Sequence, residues 1–223
     1  MNTTLIKDTP WDAAAFGMFT GELAEYSEAA LRAAAARSGH YTLKVDPLAD
    51  KRLLHEYGFY YCDTLIEPRC GAASLRPATH PDATIARNTD LPELLTICHG
   101  AFTHGRYHRD FNLPRTGADL RYDNWLCQLY DQQCVYGLFW RGGLAGFIAY
   151  SGNSLVLHAV AEAYRGKGLA KYWWGAVCGE LIAAGCTEVR SSVSAANVAA
   201  LNLYASMGFN FVNPVDIYHR LVK

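Results

Sequence analysis

The 223-residue chain has no apolar run long enough to span a bilayer, which argues against a membrane-spanning helix. It begins Met-Asn-Thr-Thr-Leu-Ile-Lys-Asp, without an apolar stretch, so no signal peptide is expected. Charge is scarce as well: 18% of residues are charged and the net charge is −1. A basic footprint for nucleic acid or an anionic membrane is therefore missing. The seven cysteines (Cys62, Cys70, Cys98, Cys127, Cys134, Cys178 and Cys186) are odd in number and include no Cys-x-x-Cys pair. That speaks against a disulfide framework or a zinc cage, so no metal is expected. Reduced thiols in a cytoplasmic protein are the better reading. What the chain does have is apolar mass: 51% of residues are hydrophobic, enough for one large core or two small ones.

Turn signals divide the chain. The stretch 70–83, with Gly71, Ser74, Pro77 and Pro81, is the best linker candidate. It separates a first unit, residues 1–75, from a second, residues 83–223. In the first unit Ser27 can cap an Ala-rich helix that Gly39 stops. A strand at 41–45, a helix at 49–57 and a strand at 59–67 follow. In the second unit the pattern predicts a strand at 84–87 and a helix from Asp90 to about Phe102. An irregular polar stretch and a helix over 118–130 come next. Strands at 133–140, 144–150 and 154–161 are separated by Arg-Gly-Gly and Gly-Asn hairpin signals. The chain closes with a helix to Ala184, a strand at 187–194, a helix at 196–207, and a strand at 209–221 bulged at Pro214. "LHEYGFYYCDTLIE" and "LYASMGFNFVNPVD" share one pattern of helix, glycine stop, Phe and strand. Chance, or a decayed duplication, accounts for the echo.

The most informative stretch is "AYRGKGLAKYWW", residues 163–174. It follows a strand and opens a helix, the context of a backbone anion site. Gly166 and Gly168 let backbone N–H groups approach an oxyanion, and Arg165 and Lys167 supply charge. A P-loop would need Gly-Lys-Ser/Thr, and a Rossmann turn a third glycine; both are absent. The run resembles the pyrophosphate motif of the GNAT superfamily of acyl-CoA-dependent N-acyltransferases, Arg/Gln-x-x-Gly-x-Gly/Ala, on Arg165, Gly168 and Ala170. The element order of 83–223 is similar to that fold, and "NVAALNLYASMGF" resembles its second motif. The resemblance implies an α/β (α+β) fold: a mixed, mostly antiparallel twisted sheet flanked by helices. It also implies acetyl-CoA as co-substrate. Its pyrophosphate would lie on Arg165, Gly166, Lys167, Gly168, Leu169 and Ala170, and its pantetheine on the strand at Leu157, His158, Ala159 and Val160.

Acyl transfer to an amine needs an oxyanion stabiliser, a base and an acid for the leaving thiolate. Asn197, Leu201 and Tyr204 share a helix face by spacing. A phenol of pKa about 10 suits the acid, although Tyr204 fits equally as a core aromatic on spacing alone. The resemblance favours the acid. His158 suits a base or relay, or a buried histidine making one hydrogen bond. No Glu lies upstream in its strand, so a water held by Asn197 is the first choice for the base.

"FTHGRYHRDFNLPRTGADLRYDNW" gathers His104, Arg106, His108, Arg109 and Arg115 with Tyr107, Tyr122 and two phenylalanines. Either the cations clamp a diphosphate while aromatics stack on a base or sugar, or the stretch is a solvated loop. The chain as a whole resembles the N-acetyltransferases of dTDP-linked 4-amino-4,6-dideoxygalactose, on "PWDAAAFGMFTGEL", "LLHEYGFYYCDTLIEP", "AFTHGRYHRDFNLP", "YDNW" and "NVAALNLYASMGF". That family has a smaller, truncated GNAT-like domain before the catalytic one. It carries an Asn and a Tyr matched by Asn197 and Tyr204, and a cation near coenzyme A where this chain has Leu203. The implied acceptor is a small molecule, a nucleotide-linked amino sugar. Acylation of another amine or a peptide, and a non-catalytic acyl-CoA-binding module, stay open. So does a homodimer through edge strands.

Overall fold

A computed structural model describes residues 4–223, so Met1–Thr3 of the expected first unit lie outside the described residues. The chain runs β1 (Ile6–Asp8), α1 (Pro10–Phe16), β2 (Thr20–Leu23), α2 (Glu28–Ala35), β3 (Gly39–Val45), α3 (Arg52–Glu56) and β4 (Tyr60–Gly71). After the linker come β5 (Ala83–Ala86), α4 (Leu91–Cys98), α5 (Arg106–Arg109), α6 (Arg115–Asp131), β6 (Val135–Trp140), β7 (Gly143–Ser151) and β8 (Ser154–Val160). The last elements are α7 (Ala170–Ala183), β9 (Glu188–Ser191), β10 (Val193–Ser194), α8 (Val198–Ser206) and β11 (Asn210–Val222).

Local chemistry explains most boundaries. Ser27 caps α2 by accepting from Ala30 N at 3.3 Å. Arg141 and Gly142, both at positive φ (51° and 81°), turn β6 into β7. Asn213, at φ 50°, marks the bulge beside Pro214, where the β4–β11 register shifts. Some expectations need correcting. Gly39 does not stop α2; it opens β3, where a side chain would collide with Phe19. The polar stretch after α4 is not wholly irregular, because it contains α5. α1 gave no clear sequence pattern, and it packs on α6 where Gly117 leaves room for the Phe16 ring.

The strands join in the order β1-β2-β3-β11-β4-β9-β8-β7-β6-β5, with β10 on β4. Only β2–β3 and β8–β9 are parallel, so the sheet is mixed and mostly antiparallel, as expected. α7 and α8 cover one face with Trp173, Trp174, Val177 and Tyr204. α4 and α6 cover the other with Leu94 and Leu126 against Phe147, Leu157 and Ala159. The two echoing segments are α3–β4 and α8–β11. Their strands lie side by side and antiparallel, with Thr64 opposite Asp216 and Tyr61 opposite Tyr218. β11, the last strand, thus sits between β3 and β4. β4 in turn reaches β9 and β10.

A buried polar hub ties these pieces together. Asp110, just after α5, accepts at Oδ2 from His40 Nε2 of β3 (3.0 Å) and His219 Nδ1 of β11 (2.8 Å). The Tyr60 hydroxyl of β4 donates to the same carboxylate, and Asn112 N donates to Oδ1. Among the described residues no helix is long and apolar enough to cross a membrane.

Candidate active site

β8 and β9 pair only at Ser154–Arg190 and Leu155–Ser191. β10 then turns away to β4. Beyond that fork, Val156–Val160 has β7 on one side and an open wedge on the other. An unpaired strand edge carries polar groups that need partners. Arg165 Nε already takes Val160 O at 2.6 Å from that side. By the alternation of a strand, the backbone groups of Val156 and His158 face the same way. A cavity of about 540 Å³ occupies the wedge, and its wall includes all of Val156–Val160 together with Ser192, Val193 and Ser194.

At one end of the wedge the chain makes the turn into α7. Gly166 and Gly168 sit at φ 72° and 69°, the left-handed region that costs a residue with a side chain energy. Leu169 stands at the cap position with no side-chain bond to offer, and Tyr172 N is the first to find a partner, at Leu169 O. The N–H groups of 166–171 have no backbone acceptor among the described residues. Aligned free N–H groups and the helix dipole suit an anion. Arg165, Gly166, Gly168, Leu169 and Ala170 line the cavity. Lys167 does not; its Nζ lies 6.0 Å from the Tyr164 ring.

Deep in the same cavity Tyr204 and His158 meet. Tyr204 is fully buried, its Oη 3.1 Å from His158 Nε2, and Trp174 Nε1 donates to that Oη at 3.3 Å. With Trp174 donating to it, the phenol has its proton to offer His158 Nε2, an arrangement that takes the imidazole as the neutral Nδ1–H tautomer. Burial lowers the His158 pKa to about 4, which keeps it neutral. Burial also holds the Tyr204 phenol above its ordinary range.

Asn197 lines the cavity together with Tyr204, but it stands at the start of the helix rather than within it. It is the N-cap of α8, and its Oδ1 accepts from Ala200 N at 3.1 Å. Spacing placed it on a face; the helix end claims its oxygen. Its remaining offer is the Nδ2–H donor. Leu203 lines the cavity too.

The polar loop divides in two. His104, Arg106, Tyr107 and Tyr122 line the cavity; His108 and Arg109 do not. His108 Nε2 pairs with Asp119 Oδ1 at 2.7 Å, and Arg109 Nη1 donates to Asp63 Oδ1 at 2.6 Å. Both are spent on the chain's own carboxylates, so a clamp of several cations is not what the loop builds. Arg121 is likewise spent on Asp12, at 2.9 Å. Arg106 is different: its one hydrogen bond goes to the Tyr107 hydroxyl, and no carboxylate lies within ion-pair distance among the described residues. A second cavity of about 490 Å³ opens on its other side, lined by Trp11, Asp12, Asn124 and Gln128, and shares Arg106, Arg121 and Trp125 with the first.

Sequence reading missed Asp63, Ser194 and Trp174 of this wall. The one signal for Asp63 was a lone acid in the apolar strand run "YYCDTLI". For Trp174 it was the aromatic pair that follows the cradle.

Residues 100–209 match the family model for the acetyltransferase (GNAT) family. No curated protein sequence matches the chain. Among solved structures, a GCN5-related N-acetyltransferase from Sphaerobacter thermophilus superposes with a TM-score of 0.66 at 12% identity, over 98% of this chain and 76% of that one. A tandem GNAT protein of the clavulanic acid biosynthesis pathway superposes at 0.55 and 12% identity, over 91% of this chain and 75% of its own. A glucosamine N-acetyltransferase region of a fungal multi-domain β-N-acetylglucosaminidase gives 0.61 at 14% identity, over 91% of this chain and 30% of that chain.

Proposed function

We propose that the chain, whose residues 100–209 match the acetyltransferase (GNAT) family model, carries an acetyl group from acetyl-CoA to the amine of a nucleotide-linked amino sugar. The observation that carries this is the joining, in one wedge-shaped cavity, of the free N–H groups at the start of α7 with the buried Tyr204–His158 pair. Acetyl-CoA, when bound, supplies the acetyl group as a thioester whose sulfur must leave as a thiol. The N–H groups of 166–171, with Arg165, hold its pyrophosphate. The free edge of β8 and the Asn197 Nδ2–H serve its amide-rich arm. Tyr204 gives the proton that the sulfur needs, and Trp174 Nε1–H stays on the phenolic oxygen when that proton leaves. Gly168→Ala puts a side chain at φ 69°, so the KM for acetyl-CoA should rise about tenfold. An unchanged KM removes the cradle role.

The acceptor class rests on Arg106. A guanidinium lodged between two cavities without a carboxylate needs a negative partner, and an acceptor phosphate supplies it. Trp11 and Trp125 of the second cavity offer faces for a base. The glucosamine N-acetyltransferase region named above lends support to an amino-sugar acceptor. Losing a hydrogen bond to a charged group costs about 1.5–3 kcal/mol, so Arg106→Ala should raise the acceptor KM about 10–100-fold. The KM for acetyl-CoA should not move. Equal effects on both substrates refute the anchor.

The reading includes a first unit, residues 1–75, that is a truncated relative of the second, residues 83–223. The antiparallel pairing of the two echoing strands and the likeness to a tandem GNAT protein support it. All seven cysteines are free, which suits the cytoplasm. The deciding experiment is thiol release from acetyl-CoA with a panel of amines that includes dTDP-4-amino-4,6-dideoxygalactose. Release with the nucleotide sugar supports the proposal. Release only with other amines leaves acyl transfer and removes the acceptor, and none with any amine removes both.

A further inference from the structure

The Tyr204–His158 pair supplies an acid but leaves the acceptor amine without a base. Asn197 has its oxygen committed to the helix cap. His158 already accepts the Tyr204 proton. Two other groups in the cavity wall can take a proton, His104 and Asp63. His104 is exposed on the loop after α4, whereas Asp63, from β4, is buried and held in place.

Asp63 is fully buried. Its Oδ1 is well served, by Arg109 Nη1 at 2.6 Å, Ser194 Oγ at 2.7 Å and Thr64 N at 2.9 Å. Its Oδ2 is buried and has no hydrogen-bond partner among the described residues. A buried carboxylate oxygen without a donor is costly and rare, and each such case calls for a reason. Here the three bonds to Oδ1 fix the group in place, Oδ2 is left without a donor, and the residue belongs to the wall of a cavity that must receive an ammonium. We infer that Asp63 Oδ2 binds the ammonium of the acceptor and takes its proton. The inference rests on the acyl-transfer reading above.

The step balances simply. One N–H bond of the ammonium breaks and an O–H bond forms at Oδ2, and the freed lone pair forms the amide bond. The C–S bond breaks as the C–N bond forms, Tyr204 protonates the departing sulfur, and the nitrogen's second proton restores the Tyr204 phenol. Asp63 later returns its proton to solvent. Burial is the main influence on the carboxyl and raises its pKa, which brings it closer to a base useful near neutrality. The groups that face it are Arg109 and Arg106 of α5, Ser194 of β10, Tyr122 of α6 and the neighbouring Cys62. Ile217, opposite it on β11, is apolar.

The test is Asp63→Asn, which keeps the shape and removes the base. With dTDP-4-amino-4,6-dideoxygalactose as probe, kcat/KM for the acceptor should fall about 10²–10⁴-fold. The thermal midpoint and acetyl-CoA binding should stay near wild type, which separates chemistry from folding. The acid limb of the pH profile should vanish in Asp63→Asn. In Arg109→Gln that limb should move to higher pH, since a cation beside the carboxyl is gone; a purely structural Asp63 would not move it. An Asp63→Asn enzyme within tenfold of wild type, with an unchanged profile, overturns the inference even though the acyl-transfer reading stands. If wild type acetylates no amine, that reading falls, and the ¹³C carboxyl titration of Asp63 decides separately. A titration that shifts downward when the probe is added supports ammonium binding at Asp63; one that ignores the probe refutes it.

Discussion

Tyr204→Phe should lower kcat by about 10²–10³ and leave acetyl-CoA affinity within twofold. The reason lies in how the hydroxyl is held. Tyr204 is buried, and its Oη meets Trp174 Nε1 and His158 Nε2. The ring packs against Phe209 at 4.9 Å between centroids, so phenylalanine fills the same space and the fold should persist. What disappears is the one proton poised beside His158. Because burial holds His158 to a pKa of about 4, the imidazole stays neutral across the working range and cannot replace the phenol as an acid. Turnover and thiol release measured at saturating acetyl-CoA check this. A variant with kcat within threefold of wild type would remove Tyr204 as the acid. A parallel loss of acetyl-CoA affinity would make it a binding residue.

The second large effect is on stability. Asp110→Ala should destabilise the protein by about 3–5 kcal/mol, because it strips one carboxylate from a buried hub and strands two histidines and a tyrosine. At this chain length that is a fall of about 10 °C in Tm. Burial alone would raise the Asp110 carboxyl, but the bonds from His219 and His40 outweigh it and hold the group far below the ordinary carboxylate range. A depressed carboxyl stabilises the fold above its unfolded pKa of 3.8, and that stability is lost as the pH falls toward the folded value. The gap between wild type and Asp110→Ala should therefore be full near neutrality and narrow below pH about 4. Denaturant melts at several pH values would measure it. A constant gap would show that shape, not charge, is what Asp110 contributes.

Local chemistry was legible in the sequence, and tertiary partners were not. Ser27, the Arg-Gly-Gly hairpin and the left-handed turn at Gly166 and Gly168 depend on residues close in the chain, so spacing alone located them. Arg109 and His108 do not line the cavity, and the carboxylates they meet instead, Asp63 and Asp119, are brought up only by folding. Asn197 illustrates a finer limit. The helical repeat gives its direction but not that the helix starts there, and at a helix start an asparagine oxygen is drawn to the backbone. Asp63 was invisible for a topological reason. It belongs to β4, and nothing local announces that this strand runs on to β9 and β10, more than a hundred residues later.

The place of β11 between β3 and β4 also sets an order of events in the cell. A ribosome makes β3 and β4 early, yet the strand that separates them comes after every other strand. Until residues 210–222 emerge, β3 and β4 lack the strand that joins them, and the core around Leu43 and Phe59 lacks Tyr218 of β11. The nascent first half is thus an unfinished sheet awaiting a distant segment, slow to close and exposed to wrong pairings in the meantime. Vectorial synthesis cannot complete this protein piece by piece; both halves become native together, when the final strand arrives.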